Sequence, residues 1–317
     1  MLRRDVLKQS LLLWLGGAAL RTHAQGKAAR IVLPFAAGAN SDVLIRQIAH
    51  EVSQATGRVL LVDNKPGGGG ILAAQEVLRA KPDGLTLLAV NTGSHAILPA
   101  LQKLPYQPLH DFTMVCELFS FPNYLIVPKR LGVASVEQLL TYARQQSQPL
   151  SVGTQGMGSP GHLLATMFAE ATQLPLVHVP YAAGGGPMNV DLLAGRLDMV
   201  FSTYASLKSG MQDGRVKFLA IASSQRSPSL PDIPTTQQVG LQGVDLDAWF
   251  GLAVPQTVPE AVIAHWAQDF GRIGHLQKLQ GQFADQGVTL KVSSSAAFKA
   301  LVQADAVRLQ RIAQRAI

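Results

Sequence analysis

Short apolar runs alternate with longer amphipathic segments along most of the chain. Residues 30–34 form an apolar run typical of a buried strand, and residues 41–56 follow with Ile45, Ile48 and Val52 at helical spacing. The same pattern predicts strands at 59–62 and 85–90 and a helix at 71–80. This order of strand, helix, strand, helix and strand predicts a parallel sheet with helices on its faces.

The alternation starts again after residue 123. It predicts strands at 124–127, 151–153, 177–180, 199–201, 218–221 and 249–254, and helices at 135–146, 160–171, 188–193, 259–272, 275–286 and 295–313. Two strand groups of similar size predict an α/β protein with two lobes, in which 124–127 and 250–254 cross between the lobes. We expect lobe 1 to comprise 25–123 and 252–317, and lobe 2 to comprise 124–251.

The first 24 residues have the pattern of a secretory signal peptide. A basic start with Arg3, Arg4 and Lys8 precedes the apolar run 11–20, and Ala24 is a small residue suited to a cleavage site. The apolar run is shorter than the roughly 20 residues that span a bilayer. An N-terminal anchor helix is the alternative interpretation, and the Arg3-Arg4 pair leaves both the general secretory and the twin-arginine routes open.

Charge and cysteine content exclude several classes of partner. The 317-residue chain has a net charge of +7, but removal of residues 1–24 leaves 23 basic and 19 acidic residues, a net +4. Without a Lys/Arg run or a basic helix, we expect no nucleic-acid partner. Cys116 is the single cysteine, and none of the eight histidines stands at ligand spacing from it, so we expect neither a metal nor another cofactor.

Small polar residues follow several of the predicted strands. In open parallel sheets, ligands bind beyond the carboxyl ends of the strands. The candidate loops on this basis are 35–42, 91–95, 154–159, 181–186 and 202–204. We expect Asn40 or Ser41 to cap the following helix, whose N-terminus favours an anion by roughly 0.3–1 kcal/mol. Each loop taken alone is more typical of an ordinary turn or helix cap, but the set on two lobes indicates a binding cleft.

Enzyme motifs in the chain are incomplete. Residues 156–161 match G-x-G-x-x-G, but Pro180 and Tyr181 stand where a dinucleotide site needs an acidic residue. The glycine run in 65–70 lacks the Walker G-K-[ST] ending, and Gln54 replaces the second histidine of H-E-x-x-H. The remaining candidate acids or bases are Asp42, His95 and His162, for which a loop brace or a structural hydrogen bond is the alternative role.

Ordered sequence blocks extend through nearly the whole chain after residue 24. They are VLPFAAGANSD (32–42) with Arg46, VDNKPGGGG (62–70), KPDGLTL (81–87), SHAI (94–97), LPY (104–106), HVPY (178–181), DLLAGRLD (191–198), LPDIPT (230–235) and WFGL (249–252). In order and spacing these blocks resemble the substrate-binding proteins of tripartite tricarboxylate transporters, of the TctC or Bug type.

This resemblance implies a type II periplasmic-binding-protein fold, with two α/β lobes joined by crossing strands around a ligand cleft. It also implies a periplasmic, non-enzymatic receptor, here expected to be a monomer, that delivers a small organic carboxylate to membrane permease subunits. In this family, backbone N–H groups, ordered water and Ser, Thr or Asn side chains typically hold the carboxylate. A di- or tricarboxylate, an amino acid or an aromatic acid are all candidate ligands.

The resemblance also assigns ligand contacts, which we carry over residue by residue. In the first lobe they are Phe35, Ala36, Gly38, Asn40, Ser41, Asp42, Thr92, Gly93, Ser94 and His95. In the second lobe they are Thr154, Gln155, Gly156, Ser159, His162, Tyr181, Ser202, Thr203 and Tyr204.

Three departures from the family pattern bear on the ligand. Ala37 and Ala39 flank Gly38 where the family often has Pro-Gly-Gly, Ala182 and Ala183 follow Tyr181 in place of a basic residue, and Ser202 replaces an aspartate. Loss of an acid and a base makes a monocarboxylate or aromatic acid as good a candidate as a di- or tricarboxylate. A ligand sensor for a signalling partner and a carboxylate-acting enzyme remain the alternative functions.

Overall fold

The computed structural model describes residues 28–181 and 185–314, and the predicted signal peptide lies outside this part of the chain. Its strands are β1 (Ala29–Leu33), β2 (Leu60–Asn64), β3 (Thr86–Asn91), β4 (Phe112–Pro122), β5 (Tyr124–Pro128), β6 (Leu150–Thr154), β7 (Leu176–Pro180), β8 (Met199–Ser202), β9 (Val216–Ile221), β10 (Asp247–Pro255) and β11 (Thr289–Leu290).

The α-helices alternate with these strands and then complete the chain. They are α1 (Asn40–Thr56), α2 (Ile71–Leu78), α3 (Leu98–Leu101), α4 (Val136–Gln145), α5 (Pro160–Thr172), α6 (Gly185–Leu193), α7 (Tyr204–Gln212), α8 (Glu260–Gly271), α9 (Gln277–Ala284) and α10 (Ser295–Ala313). Within the described ranges no helix has the length and apolar character needed to cross a membrane.

The strands form two separate sheets, which confirms the predicted α/β fold class. The first sheet has the order β11-β4-β10-β3-β1-β2, and the second has the order β7-β6-β8-β5-β9. Strand β1 pairs in parallel with β2 and β3, and β6 pairs in parallel with β7 and β8. We call the first sheet with its helices lobe 1 and the second sheet with its helices lobe 2.

The chain passes between the lobes at two neighbouring points. Only Asn123 separates β4 from β5, and the return connection runs from β9 to β10 through residues 222–246. The amide of Ala222 donates to the carbonyl of Asn123 at 2.8 Å, and the amide of Leu246 donates to the carbonyl of Ala222 at 3.0 Å. These bonds tie the two crossings together. Strand β10 pairs with β4 from Asp247 onward and with β3 from Phe250 onward, so residues 247–251 belong to the first sheet rather than to lobe 2.

The C-terminal helix α10 returns to lobe 1, as the sequence predicts. The hydroxyl of Ser294 caps it by accepting from the Ala297 amide at 3.2 Å, and Ser295 Oγ donates to the Met114 carbonyl of β4 at 2.6 Å. Trp249 Nε1 donates to the Asp305 carboxylate at 2.8 Å. The contacts of Ser295 and Asp305 fix the helix against the strands next to the crossings.

Candidate functional site

The loops predicted to bind a ligand lie at the carboxyl ends of the parallel strands in both lobes. In lobe 1 they follow β1 and β3, and in lobe 2 they follow β6, β7 and β8. A Cβ on Gly93 would lie 3.8 Å from the carbonyl oxygen of Gly158, so the loop after β3 meets the loop after β6. The structure therefore brings candidate loops of the two lobes together.

Asp42 braces the loop after β1. Its carboxylate accepts from the Gly38 amide at 2.9 Å, from Arg46 Nε at 3.0 Å and from Asn64 Nδ2 at 2.9 Å. Burial opposes ionisation of this carboxyl, but the hydrogen bonds outweigh it and hold the pKa of Asp42 below its ordinary value. The brace is therefore charged at neutral pH, and its carboxylate is committed to the protein.

Asn64 was not among the predicted contacts, although it holds the same loop. Its Nδ2 donates to the Phe35 carbonyl at 3.0 Å as well as to Asp42, and its Oδ1 accepts from Arg46 at 2.7 Å. The sequence block 62–70 contained this residue, but nothing local showed that the end of β2 lies beside the loop after β1. Asn64 thus positions the backbone next to Phe35.

Helix α1 begins without a side-chain cap, contrary to the expectation for Asn40 or Ser41. The N-cap residue is Ala39, and its side chain makes no capping hydrogen bond. The first amide to bond back into the helix is that of Val43, which donates to the Ala39 carbonyl at 3.1 Å. The amides of the first turn are therefore available to an anion, which the positive end of the helix favours.

The loop after β3 continues directly into a π-helical turn over Gly93–Ile97. Thr92 Oγ1 accepts from the Trp249 amide at 2.8 Å, and the Ser94 amide donates to Asn91 Oδ1 at 3.2 Å. Gly93 is the partly exposed residue between them and faces Gly158. The backbone at Gly93 is consequently a better candidate contact than the hydroxyls of Thr92 and Ser94, which brace the turn.

The side chain of His95 lies in the core and not in the cleft. It is 1% exposed, its ring centroid lies 5.7 Å from that of Phe112, and its Nδ1 lies 2.9 Å from Ser94 Oγ. Burial lowers the pKa of His95 to about 3. The predicted ligand contact from this imidazole is therefore not supported, because the helical turn directs the residue inward.

Replacement of His95 tests this burial through the pH dependence of stability. The unfolded imidazole titrates near pH 6.5 and the folded one near pH 3, so the unfolded chain binds the extra proton between these values. As far as His95 is concerned, the free energy of unfolding is highest above pH 6.5 and falls by up to about 1.4 kcal/mol per pH unit below it. We expect His95→Gln to flatten urea-unfolding free energies between pH 6.5 and 4 relative to the wild type. A His95→Gln curve that runs parallel to that of the wild type over this pH range would contradict the assignment.

The loop after β6 in lobe 2 combines a buried threonine with a capped helix. Thr154 is 1% exposed and ends β6. Ser159 Oγ accepts from the His162 amide at 3.2 Å and donates to the Gly156 carbonyl at 2.8 Å, so it caps α5. Gln155 lies against Gly185, where a Cβ would approach its Nε2 to 3.1 Å. Of these predicted contacts, the hydroxyl of Ser159 is committed to the helix cap.

His162 and Tyr181 are directed to partners within lobe 2. The rings of His162 and His178 lie 5.2 Å apart, and burial with the neighbouring His178 lowers the pKa of His162. Tyr181 Oη donates to Asp191 at 2.6 Å, and burial together with that carboxylate raises the pKa of Tyr181 to about 12. Ala182 and Ala183, which distinguish this chain from the family pattern, lie outside the described residues. The Tyr181 phenol is therefore committed to Asp191, whereas Nδ1 of the buried His162 has no hydrogen-bond partner among the described residues.

The turn after β8 opens a second helix that has no side-chain cap. Thr203 is the N-cap of α7 and makes no capping bond, because its Oγ1 lies 2.7 Å from Ser206 Oγ. Ser202 is fully buried, with its Oγ 3.5 Å from Asn189 Oδ1. The Tyr204 ring packs edge-on against Phe218, 6.2 Å away. The backbone amides at the start of α7 are therefore the donors that this turn offers.

An aromatic shelf lies beside the loop after β1. The half-buried Phe35 has its ring 5.6 Å from that of Phe250, which stacks on Phe119 at 5.0 Å. The half-buried Phe121 completes the shelf at 5.9 Å from Phe250. No group of three or more His, Cys, Asp or Glu suited to a metal ion occurs within residues 28–181 and 185–314. The site thus combines uncapped helix ends, neutral donors and an apolar surface.

Two α/β lobes with facing loops and neutral donors define the class of two-lobed solute-binding proteins. The family model described as "Tripartite tricarboxylate transporter family receptor" matches residues 44–316. The chain belongs to this family, whose members are solute-binding receptors.

Curated relatives and solved structures agree with this assignment. The chain is 34% identical to the UPF0065 protein in the tcbD-tcbE intergenic region of Pseudomonas sp. strain P51, over 73% of this chain and 69% of the relative. It is 26% identical to Protein BugT of Bordetella pertussis, over 82% and 80% of the two chains. Rpa4515 of R. palustris, solved with adipate, superposes with a TM-score of 0.83 at 30% identity, over 91% of this chain and 97% of that one. MatC from Rhodopseudomonas palustris, solved with bound malate, superposes with a TM-score of 0.79 at 29% identity, over 90% of this chain and 98% of that one.

Proposed function

We propose that this protein is an exported receptor that captures a small organic carboxylate between its lobes and delivers it to the membrane permease subunits of a tripartite tricarboxylate-type transporter. The observation that carries the proposal is the pair of helix N-termini without side-chain caps, α1 in lobe 1 and α7 in lobe 2. Each follows a strand whose carboxyl end borders the cleft. A ligand that contacts both helices favours the closed arrangement, because only differential affinity shifts such an equilibrium.

Neutral donors are sufficient for the affinity that a receptor needs. A micromolar dissociation constant corresponds to about −8 kcal/mol. Each hydrogen bond to a charged group contributes about 1.5–3 kcal/mol, and each helix N-terminus adds roughly 0.3–1 kcal/mol. The amides that begin α1 and α7, with Thr154, can together supply this energy without an arginine clamp.

The aromatic shelf and the sequence departures refine the ligand class. Structural relatives hold adipate and malate, which are dicarboxylates with short carbon chains. In this chain the half-buried rings of Phe35 and Phe121 offer an apolar surface beside the donors, and Ser202 stands in place of an acid. We therefore include acids with one carboxylate and an apolar or aromatic body among the ligands.

Of the residues proposed as alternatives for catalysis, one is committed to hydrogen bonds within the protein and two are buried. Asp42 is held by Gly38, Arg46 and Asn64. His95 and His162 are both turned into the protein interior. This arrangement supports a receptor over a carboxylate-acting enzyme. The signal-like residues 1–24, and a structural relative described as periplasmic binding protein BugD (27% identity, TM-score 0.80), support export to the periplasm.

A thermal-shift screen of organic acids tests the carboxylate assignment. We expect at least one of adipate, malate, citrate, benzoate and glutamate to raise the unfolding midpoint. Ligand at 100 times its dissociation constant stabilises the folded state by about 2.7 kcal/mol. A response to nucleotides or divalent metals, with none to any carboxylate, would contradict the proposal.

Substitution of Ser41 and Thr154 tests the placement of the cleft. We expect Ser41→Ala with Thr154→Ala to weaken binding of the acid found in the screen by about 100-fold or more, since each hydrogen bond to a charged group contributes about 1.5–3 kcal/mol. The unfolding midpoint without ligand should change little, and Ser147→Ala on the exposed surface is the matched control. Isothermal titration calorimetry measures the affinity. Unchanged affinity in the double variant would show that the ligand binds elsewhere.

A further inference from the structure

Donors from outside lobe 1 surround the end of a helix in lobe 1. Lys208 Nζ of lobe 2 donates to the Asp285 carbonyl at 3.2 Å, and Ser229 Oγ, in the connection from β9 to β10, donates to the Ala284 carbonyl at 2.6 Å. Helix α9 ends at Ala284, whose carbonyl also accepts from the Gly287 amide at 2.8 Å. The last carbonyls of a helix form the negative end of its dipole, which favours a cation. The ammonium group of Lys208 supplies that charge, and the Ser229 hydroxyl adds a second donor to Ala284.

The same two segments are in close contact at Gly287 and Tyr204. Gly287 is buried with a φ of +69°, and a Cβ there would lie 3.0 Å from the Cβ and Cδ1 of Tyr204. Tyr204 is itself fixed in lobe 2 by its contact with Phe218, and Lys208 Nζ lies 5.4 Å from the centre of its ring. Lobe 1 thus rests on a rigid surface of lobe 2 beside the two hydrogen bonds.

The opposite flank of the interface is closed by apolar contacts. A Cβ on Gly158 in lobe 2 would lie 2.8 Å from Leu101 Cδ1 and 3.7 Å from Ile97 Cγ2 in lobe 1. Apolar contact is non-directional, whereas hydrogen bonds require a defined distance and angle. The bonds at the end of α9 are therefore better suited to fix one relative orientation of the lobes.

We propose that Tyr204 and Lys208 of lobe 2 and Ser229 of the β9–β10 connection, with Ala284, Asp285 and Gly287 of lobe 1, form an interlobe clasp that sets how far the cleft closes. Lys208 and Ser229 are positioning residues, because they act on a ligand only through the lobes. The proposal rests on the proposed function of a receptor that closes on its ligand. Apparent affinity scales with the closed fraction, so Lys208 and Ser229 tune affinity from outside the ligand loops.

Double electron–electron resonance on the ligand-free protein tests the clasp. Spin labels are attached at Gln54→Cys in lobe 1 and Gln145→Cys in lobe 2, both exposed, while the native Cys116 is fully buried and protected from labelling. We expect Lys208→Ala with Ser229→Ala to shift the interlobe distances to longer values. Loss of two hydrogen bonds should lower the ratio of closed to open molecules about tenfold.

Matched controls separate the clasp from general effects of mutation. Lys217→Ala and Ser209→Ala remove the same side-chain types at exposed positions of lobe 2 and should reproduce the wild-type distances. Circular dichroism establishes that each variant is folded, and Ser229→Ala alone provides a milder test with a smaller shift in the same direction. Distance distributions of the clasp variants that superimpose on the wild type would overturn the proposal.

The proposed function and the clasp fail in different ways. Unchanged distances in a protein that binds a carboxylate would reject the clasp and leave the receptor function standing. Longer distances in a protein that binds no carboxylate would support the clasp and reject the ligand class.

Discussion

Replacing Asp42 with alanine is expected to lower the free energy of unfolding by about 2–3 kcal/mol and ligand affinity by about tenfold. The substitution removes the acceptor shared by Gly38, Arg46 and Asn64, in a carboxylate that is 3% exposed. Each lost hydrogen bond to a charged acceptor contributes about 1.5–3 kcal/mol, but Gly38 and Arg46 are exposed and can be rehydrated, which limits the loss. The loop after β1 then loses the geometry that holds its amides at the cleft.

Two further variants calibrate the Asp42 result. Asp42→Asn keeps the shape and part of the hydrogen bonding, so we expect a smaller loss of stability. Asp213→Ala removes an exposed carboxylate paired with Arg215 and should change stability by less than about 0.5 kcal/mol. Urea unfolding and calorimetric titration measure the two effects. Equal stability losses in Asp42→Ala and Asp213→Ala would reject the brace.

Acid should weaken the same brace. Because the pKa of Asp42 is lowered in the folded state, its contribution is present above the ordinary aspartate pKa and is lost as the pH falls through the folded value. Burial of His95 lowers the stability of the protein over the higher range, between pH 6.5 and 3. The two contributions are therefore distinguishable in a pH series of single variants.

Replacing Gly251 with alanine is expected to destabilise the fold by about 3 kcal/mol, toward the upper end of the cost of overpacking a core. A Cβ at this position would lie 2.3 Å from Phe298 Cζ and 2.5 Å from the Cys116 carbonyl oxygen. Gly251 pairs with Glu117 next to a register shift in the β10–β4 ladder. The Cys116 carbonyl belongs to the backbone of β4 in the first sheet, so moving it would disturb the strand pairing.

A second substitution and a glycine control make the Gly251 result specific. Phe298→Leu relieves the ring contact but not the carbonyl contact. We therefore expect Gly251→Ala to lower the free energy of unfolding less in the Phe298→Leu background than in the wild type. Gly281→Ala in α9 meets no atom within 4 Å and should stabilise by about 0.5–1 kcal/mol through its helix propensity. Guanidinium unfolding gives the free energy of unfolding of these four variants and of the wild type. A neutral Gly251→Ala would mean that α10 does not pack on β10 as described.

Sequence periodicity predicted most elements but missed several next to the interface of the lobes. The helix predicted at 295–313 has these bounds in the structure, and that at 259–272 spans 260–271. Strand β4 and helix α7 were not predicted. Most of β4 is buried on both faces, so it lacks the alternation of a half-buried strand, and only Asn123 separates it from β5. Pro122 and Asn123 are turn-type residues at the point where the chain changes sheet, but they do not show that the strands on either side lie in different sheets.

The sequence alone determined the order of strands and helices, the polar loops at the strand ends and the family, because these depend on local periodicity, turn chemistry and block order. Tertiary structure decided which side chains remain available. His95 and His162 turn into the core, Tyr181 donates to Asp191, and Asn64 reaches the loop after β1. The direction of a side chain depends on the helical turn or strand that carries it and on partners distant in the chain. The local sequence pattern reveals neither the exact turn nor the distant partner.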